Sequence, residues 1–269
     1  MEKTKIGIAF GAGSVRGISH IGVIKVLQQI GIKPYCITGS SIGAIVGAAY
    51  ALGIIPKKME NLAKSMNIFE LVKLTDITFP KDGLIKGNKV EKFIESFIND
   101  FRFEDTKIPF ACTATDINSG EEVILNSGLL RNAVRASISI PGLFKPVKIN
   151  GRLLVDVGLV DPVPVDVAYS MGAEKVIAIS LFSERLFRSD RKEDSIKNKY
   201  VIPKIYKILY NSFYIMMNKI EKDCINNATI LITPQLNGIG FGDFYNAAEI
   251  IKRGESATLK LKERIEKLI

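Results

Sequence analysis

The chain reads as a three-layer α/β domain, with helices on both faces of a central sheet. Three observations carry that reading. Short apolar runs alternate with segments of helical period along almost the whole length. The first run, Ile6-Gly7-Ile8-Ala9-Phe10, and the run at 175–181 show no polar alternation, as expected of strands covered on both faces. A third strand, at 36–38, passes straight into Ile42-Gly43-Ala44-Ile45-Val46-Gly47-Ala48-Ala49, a helix of small residues suited to close packing on a sheet. No repeat, low-complexity tract or linker interrupts the 269 residues, so the expectation is one domain, 1–269.

Taken in order, the strand at 6–10 feeds the glycine-rich loop Gly11-Ala12-Gly13-Ser14-Val15-Arg16-Gly17. Ile18, Ile21, Ile24, Leu27 and Ile30 then recur at helical spacing up to Gly31. After the second strand and the small-residue helix, Gly53 and Pro56 make a stop. Residues 57–86 alternate weak helix and loop, with a turn at Phe79-Pro80-Lys81-Asp82-Gly83, and Asn88 caps a helix over 89–99. A buried strand at 108–116 turns through Asn118-Ser119-Gly120 into a hairpin partner at 122–125. Further helices are expected at 129–137, 165–171 and 243–269, and further strands at 153–155, 175–181 and 228–233.

Composition narrows the function classes. A formal charge of +9 turns the surface toward polyanions, either nucleic acid or an anionic membrane. No arginine-rich arm, zinc-ligand set or aromatic-basic interleaving is present, which argues against nucleic acid. Cys36, Cys112 and Cys224 are odd in number and far apart, so they read as free thiols in a reducing compartment rather than as a disulfide framework. With no signal-peptide core after Met1, the expectation is a cytoplasmic protein with the inner membrane surface as its peripheral contact. The uncharged stretch 34–55 is broken at Thr38-Gly39-Ser40-Ser41, and the remaining 42–55 is too short to span a bilayer. Residues 183–199 are basic, with Arg185, Arg188, Arg191, Lys192, Lys197 and Lys199. They run into an apolar face containing Ile205, Ile208, Leu209, Phe213, Tyr214, Met216 and Met217. That pair of features suits a seat on anionic lipid; the competing reading is a solvated loop followed by a core helix.

The candidate chemistry begins at Gly39-Ser40-Ser41-Ile42-Gly43. This G-x-S-x-G spacing, between a strand and a helix, matches a nucleophile elbow that lifts the Ser41 hydroxyl out of the backbone at a helix N-terminus. The competing reading is an ordinary glycine-rich turn. The earlier loop is a poor nucleotide site: Gly11, Gly13 and Gly17 miss the dinucleotide fingerprint by one residue, and no G-K-[ST] follows. Exposed backbone N–H groups there suit an oxyanion instead. A serine needs a base, and the one histidine, His20, sits within the first helix with nothing to orient it. It reads as a packing or supporting residue. That leaves lysine or a carboxylate, and Asp156, ending a buried strand before Val157-Gly158, competes with Asp116, which ends another.

These segments resemble the patatin-like phospholipases of bacteria. The Gly11–Gly17 loop with Ile18-Ser19-His20-Ile21-Gly22-Val23 is similar to their oxyanion motif, and Gly39–Gly43 to their elbow. Arg135-Ala136-Ser137-Ile138-Ser139-Ile140-Pro141-Gly142-Leu143-Phe144 resembles their connecting segment. Leu154-Val155-Asp156-Val157-Gly158-Leu159-Val160-Asp161-Pro162-Val163-Pro164 resembles their D-G-[GA] motif. Asp243-Phe244 with Ala247, Ile250 and Gly254 is a fainter likeness to the family's last helix. The resemblance implies a three-layer patatin-like fold with a mixed, mostly parallel sheet. It implies a lipid acyl hydrolase acting on phospholipids or lysophospholipids through a Ser41–Asp156 dyad, without metal or organic cofactor. Gly11, Gly13, Ser14 and Arg16 would form the oxyanion region, and Gly39 and Gly43 the elbow. Two departures stand out. Val157 replaces the usual glycine, and a β-branched residue there demands ordinary β-region backbone or an altered site. Ser14 also stands where glycine is frequent. The alternative implied by Val157 is a catalytically silent lipid-binding or regulatory module.

Overall fold

A computed structural model describes residues 3–65, 94, 98–182, 205–239 and 246–269. The turn at Phe79–Gly83, the cap at Asn88 and the basic stretch 183–199 lie outside the described residues. Within the expected helix at 89–99, Ile94 and Ile98 are helical and buried.

The strands are β1 (Ile6–Phe10), β2 (Cys36–Gly39), β3 (Phe110–Asp116), β4 (Glu122–Leu125), β5 (Val147–Ile149), β6 (Arg152–Asp156), β7 (Lys175–Ile179) and β8 (Ile230–Ile232). They form one sheet in the order β5-β6-β3-β2-β1-β7-β8, with β4 on β3 outside that path. The pairings β8-β7-β1-β2-β3 are all parallel, while β4, β5 and β6 are antiparallel additions at one end. The sheet is therefore mixed and mostly parallel.

The helices are α1 (Ser19–Ile30), α2 (Ile42–Ala51), α3 (Pro56–Ser65), α4 (Leu130–Ser137), α5 (Val165–Ser170), α6 (Ile205–Cys224), α7 (Ala247–Leu259) and α8 (Lys262–Glu266). Alternation along β1 separates two cores. Ile6, Ile8 and Phe10 enter the larger one with residues of α1, α2 and α7, whereas Ala9 enters a smaller one with Val165 and Ala168 of α5. The α5 side is tight: a Cβ added at Gly7 would lie 2.9 Å from the Ala173 Cβ. On the other side α1 and α7 cross at Gly22 and Gly254, where an added Cβ would run into the Ile251 and Ser19 carbonyls. That contact gives Gly254, in the faint C-terminal likeness, a physical role.

Two details differ from the sequence reading. Val147-Lys148-Ile149 is a strand, paired antiparallel with β6. The C-terminal helix is two helices, broken at Lys260-Leu261. Among the described residues, no helix is long and apolar enough to cross a membrane.

Candidate active site

The sheet register brings two chain ends together. β2 lies beside β3 only as far as Gly39 opposite Cys112, and β6 lies beside β3 from Asp156 opposite Ala114 onward. Since β4 pairs with both Cys112 and Ala114, it holds the other edge of β3. β2 and β6 therefore share one edge and meet tip to tip. Ser41, just beyond the tip of β2, and Asp156, the last residue of β6, face each other although 115 positions apart.

Ser41 is built as an elbow. Its backbone has φ 53° and ψ −119°, a left-handed conformation costing on the order of 1–3 kcal/mol for a residue with a side chain. The flanking glycines serve close approach. A Cβ on Gly39 would strike the Gly43 carbonyl, and one on Gly43 would strike the Phe10 carbonyl. Ser40 is buried beneath the turn, its Oγ donating to the Asp161 carbonyl at 2.8 Å beside the Thr113 hydroxyl. Thr38 Oγ1 donates to the Pro164 carbonyl at 2.8 Å, so the Asp161–Pro164 segment is sewn to the elbow.

Ser41 Oγ donates to Asp156 Oδ2 at 2.7 Å. Asp156 Oδ1 accepts the Gly158 N–H at 2.9 Å. Both residues are buried, at 8% and 1% exposure. Burial pushes the Asp156 carboxyl up to about 7, against the opposing pull of the Ser41 hydroxyl and the Gly158 N–H. A carboxylate so placed has an affinity for the serine proton that an exposed aspartate lacks. Asp116, the competitor, is a turn former: its Oδ1 accepts the Asn118 N–H at 3.0 Å and its carbonyl the Gly120 N–H. Val157 does not take β-region backbone as expected. It opens a 3₁₀ turn over Val157–Leu159, capped by Asp156, and its φ is not positive. A β-branched side chain fits such a turn, so the expected conflict does not arise.

The end of α4 supplies hydrogen bonds that sequence reasoning missed. Ser137 Oγ accepts the Ser41 N–H at 2.9 Å, and the Ser139 carbonyl accepts the Asp156 N–H at 2.9 Å. Arg135, buried, donates through Nη1 to Ser139 Oγ at 2.6 Å. Two positions of one segment thus hold both members of the pair. Thr115 adds a bond to the Asp156 carbonyl at 3.1 Å.

The glycine-rich loop rests on the elbow, because a Cβ at Gly17 would overlap the Ile42 side chain. Its four expected residues divide. The Gly11 N–H goes to the Ile179 carbonyl at 3.0 Å, so Gly11 offers no donor, and Ala12 likewise donates to Pro162. The Gly13 and Ser14 N–H groups have no acceptor among the described residues. Ser14 has φ 53°, which explains the frequent glycine there; serine holds the turn at a cost of roughly 1–2 kcal/mol. Arg16 is held by other parts of the chain. Its guanidinium donates twice to the Ile239 carbonyl, at 3.2 and 2.9 Å, and lies 5.9 Å from the Tyr214 ring. It tethers the loop. His20 Nε2–H donates to the Gly11 carbonyl at 2.9 Å, and its ring meets Phe10 edge-on. Burial lowers its pKa to about 4, so the ring is neutral and Nδ1 has no partner among the described residues.

The sequence model of a family described as patatin-like phospholipase matches residues 8–169, a span that contains Ser41, Asp156 and the whole glycine-rich loop. The chain belongs to the patatin-like phospholipase family. A Mycobacterium tuberculosis protein named as an uncharacterised NTE family protein is 35% identical over 177 residues. The match covers 66% of this patatin-like chain and 49% of that relative, so the chain spans about half its length. A lysophospholipase of Kluyveromyces lactis is 32% identical over 221 residues, 80% of this chain and 14% of its own. VipD from Legionella pneumophila shares the fold, with a TM-score of 0.53 over 98% of this chain and 67% of its own at 14% identity.

Proposed function

We propose that this patatin-like chain is a lipid acyl hydrolase that cleaves carboxylic esters of phospholipids or lysophospholipids. The observation that carries the reading is the 2.7 Å hydrogen bond from Ser41 Oγ to a buried Asp156. Ser41 attacks the ester carbonyl as Asp156 takes its proton. The Gly13 and Ser14 N–H groups receive the developing oxyanion, each contributing about 3 kcal/mol to lowering the barrier. Protonated Asp156 returns its proton to the leaving alcohol as the tetrahedral intermediate collapses to an acyl-serine. Water then attacks the acyl-serine as Asp156 takes its proton, and Asp156 returns that proton to Ser41 Oγ as the tetrahedral intermediate collapses and the fatty acid leaves. An anionic membrane surface is the partner that presents the substrate, in keeping with the charge of +9. The silent lipid-binding alternative rests on Val157, and the 3₁₀ turn removes that support.

A fluorophosphonate probe tests the reading. Wild type labels covalently, Ser41→Ala does not, and chelators leave labelling and lysophospholipid hydrolysis unchanged. An unreactive wild-type protein, or strict calcium dependence, would refute the mechanism. His20→Ala separates the two candidate bases. Losing the Gly11 contact and a buried ring lowers Tm, yet turnover stays within about tenfold, since the base is elsewhere. A His20→Ala protein as inactive as Ser41→Ala would move the base to the histidine.

A further inference from the structure

The helix α6 has apolar residues on two opposite sides, and only one side is covered. Phe213, Tyr214 and Met217 are buried against Ala12, Phe182, Ile140 and Leu159. Ile208, Leu209, Ile215 and Met216 are 40–50% exposed. At 100° per residue these four form a second stripe, on the face away from the first. Twenty residues make the helix about 30 Å long, enough to present such a stripe flat to a surface.

The covered side touches both halves of the candidate site. A Cβ added at Gly158, whose N–H holds Asp156 Oδ1, would strike Met217 Sδ and lie 2.9 Å from Phe213 Cζ. Ala12 stands one residue before the Gly13 N–H, and the Tyr214 ring lies by Arg16, which tethers the same loop. Ser41 itself is buried, at 8% exposure, and α6 packs against the turns that carry its two supports.

We propose that the outer stripe of α6, Ile208, Leu209, Ile215 and Met216, docks this protein on an anionic lipid bilayer, and that docking draws the inner stripe off Gly158 and Ala12 to admit an acyl chain. The proposal rests on the hydrolase reading for its substrate and on the stripe's own exposure for its surface. Charge selects the occupant. The protein carries +9, the sequence leading into α6 is rich in arginine and lysine, and Lys219 and Lys222 on the helix are exposed. A second copy would set like charges against each other, whereas anionic headgroups attract them while the apolar side chains enter the interface.

The test uses Ile215→Glu with Met216→Glu, both on the exposed stripe, and Ile215→Ser with Met216→Ser as a milder pair. In a Ser41→Ala background, flotation with vesicles of phosphatidylcholine and phosphatidylglycerol is expected to fall about tenfold in the glutamate pair. With Ser41 intact, the pair hydrolyses soluble p-nitrophenyl butyrate at the wild-type rate but loses vesicle-lipid hydrolysis by a similar factor. Non-hydrolysable ether-lipid vesicles stimulate butyrate hydrolysis in wild type and not in either pair. Equal flotation of variant and parent, a parent that does not float, or no stimulation by ether lipid overturns the proposal. So does a solution dimer of the wild type that the substitutions dissociate. A wild type that floats but hydrolyses no ester leaves the surface standing and refutes the hydrolase reading instead.

Discussion

Ser41→Ala is expected to reduce lysophospholipid hydrolysis by on the order of 10⁴-fold or more, down to the background of an oxyanion site without a nucleophile. No neighbour can substitute. Ser40, next in sequence, is buried with its hydroxyl committed to the Asp161 carbonyl, and Ser137 spends its oxygen on the Ser41 N–H. Mass spectrometry of released fatty acid measures the loss, and circular dichroism shows that the fold persists. Ser41→Gly supplies a second reading of the same position. It is equally inactive, but glycine adopts φ 53° without crowding, so this variant should be more stable than Ser41→Ala by about 1 kcal/mol. Equal melting of the two would deny the strain assigned to the elbow. Residual turnover near the wild-type rate in either would place the nucleophile elsewhere.

The elbow was legible because its requirements are local. A strand, a glycine that lets the backbone pass, a serine and a second glycine against the sheet fall within a few consecutive residues, and each spacing has a steric cause. The same holds for the glycine-rich loop, where the Gly13 and Ser14 N–H groups meet no acceptor among the described residues; Gly11 and Arg16 fit the motif while serving the scaffold. The supports of the Ser41–Asp156 pair were not legible. Ser137, Ser139 and Thr115 matter because the register of β3 sets β6 against the tip of β2, and no periodicity reports register between strands so far apart in sequence. β5 escaped notice because three residues carry too little pattern to stand out from a loop. Asp116 and Asp156 looked alike as strand-end carboxylates. What separates them is the partner each meets, a turn N–H for one and a serine hydroxyl for the other. Val157 misled in the opposite direction, since a 3₁₀ turn meets the same need as glycine with no positive φ.

Asp156→Asn is expected to remove most of the activity, on the order of 10⁴-fold, while leaving Ser41 in place and the backbone bonds to Gly158 and Ser139 possible. The variant should be more stable than wild type at alkaline pH, and the sign follows from the carboxyl. Its ordinary value is 3.8 and burial raises it to about 7 in the folded protein. Its contribution to stability is therefore fully present below about 3.8 and is lost as pH rises through 7, where the native state must hold a desolvated charge. Buried Glu221 on α6, raised by burial to about 8, acts in the same sense. Asparagine carries no such charge. The melting temperatures of Asp156→Asn and wild type should thus coincide near pH 4 and separate in favour of the variant by pH 8. Wild-type kcat/KM should move the other way, rising with pH about a midpoint near 7 as Asp156 becomes the base the reaction needs. A flat rate between pH 5 and 9, with no divergence in melting, would remove Asp156 from the mechanism. If both trends appear, the pH that costs the fold stability is the pH that arms the site. The hydrogen bonds from Gly158 and Ser41 then have a double part: they moderate the penalty of the buried charge, and they keep it within reach of the serine proton.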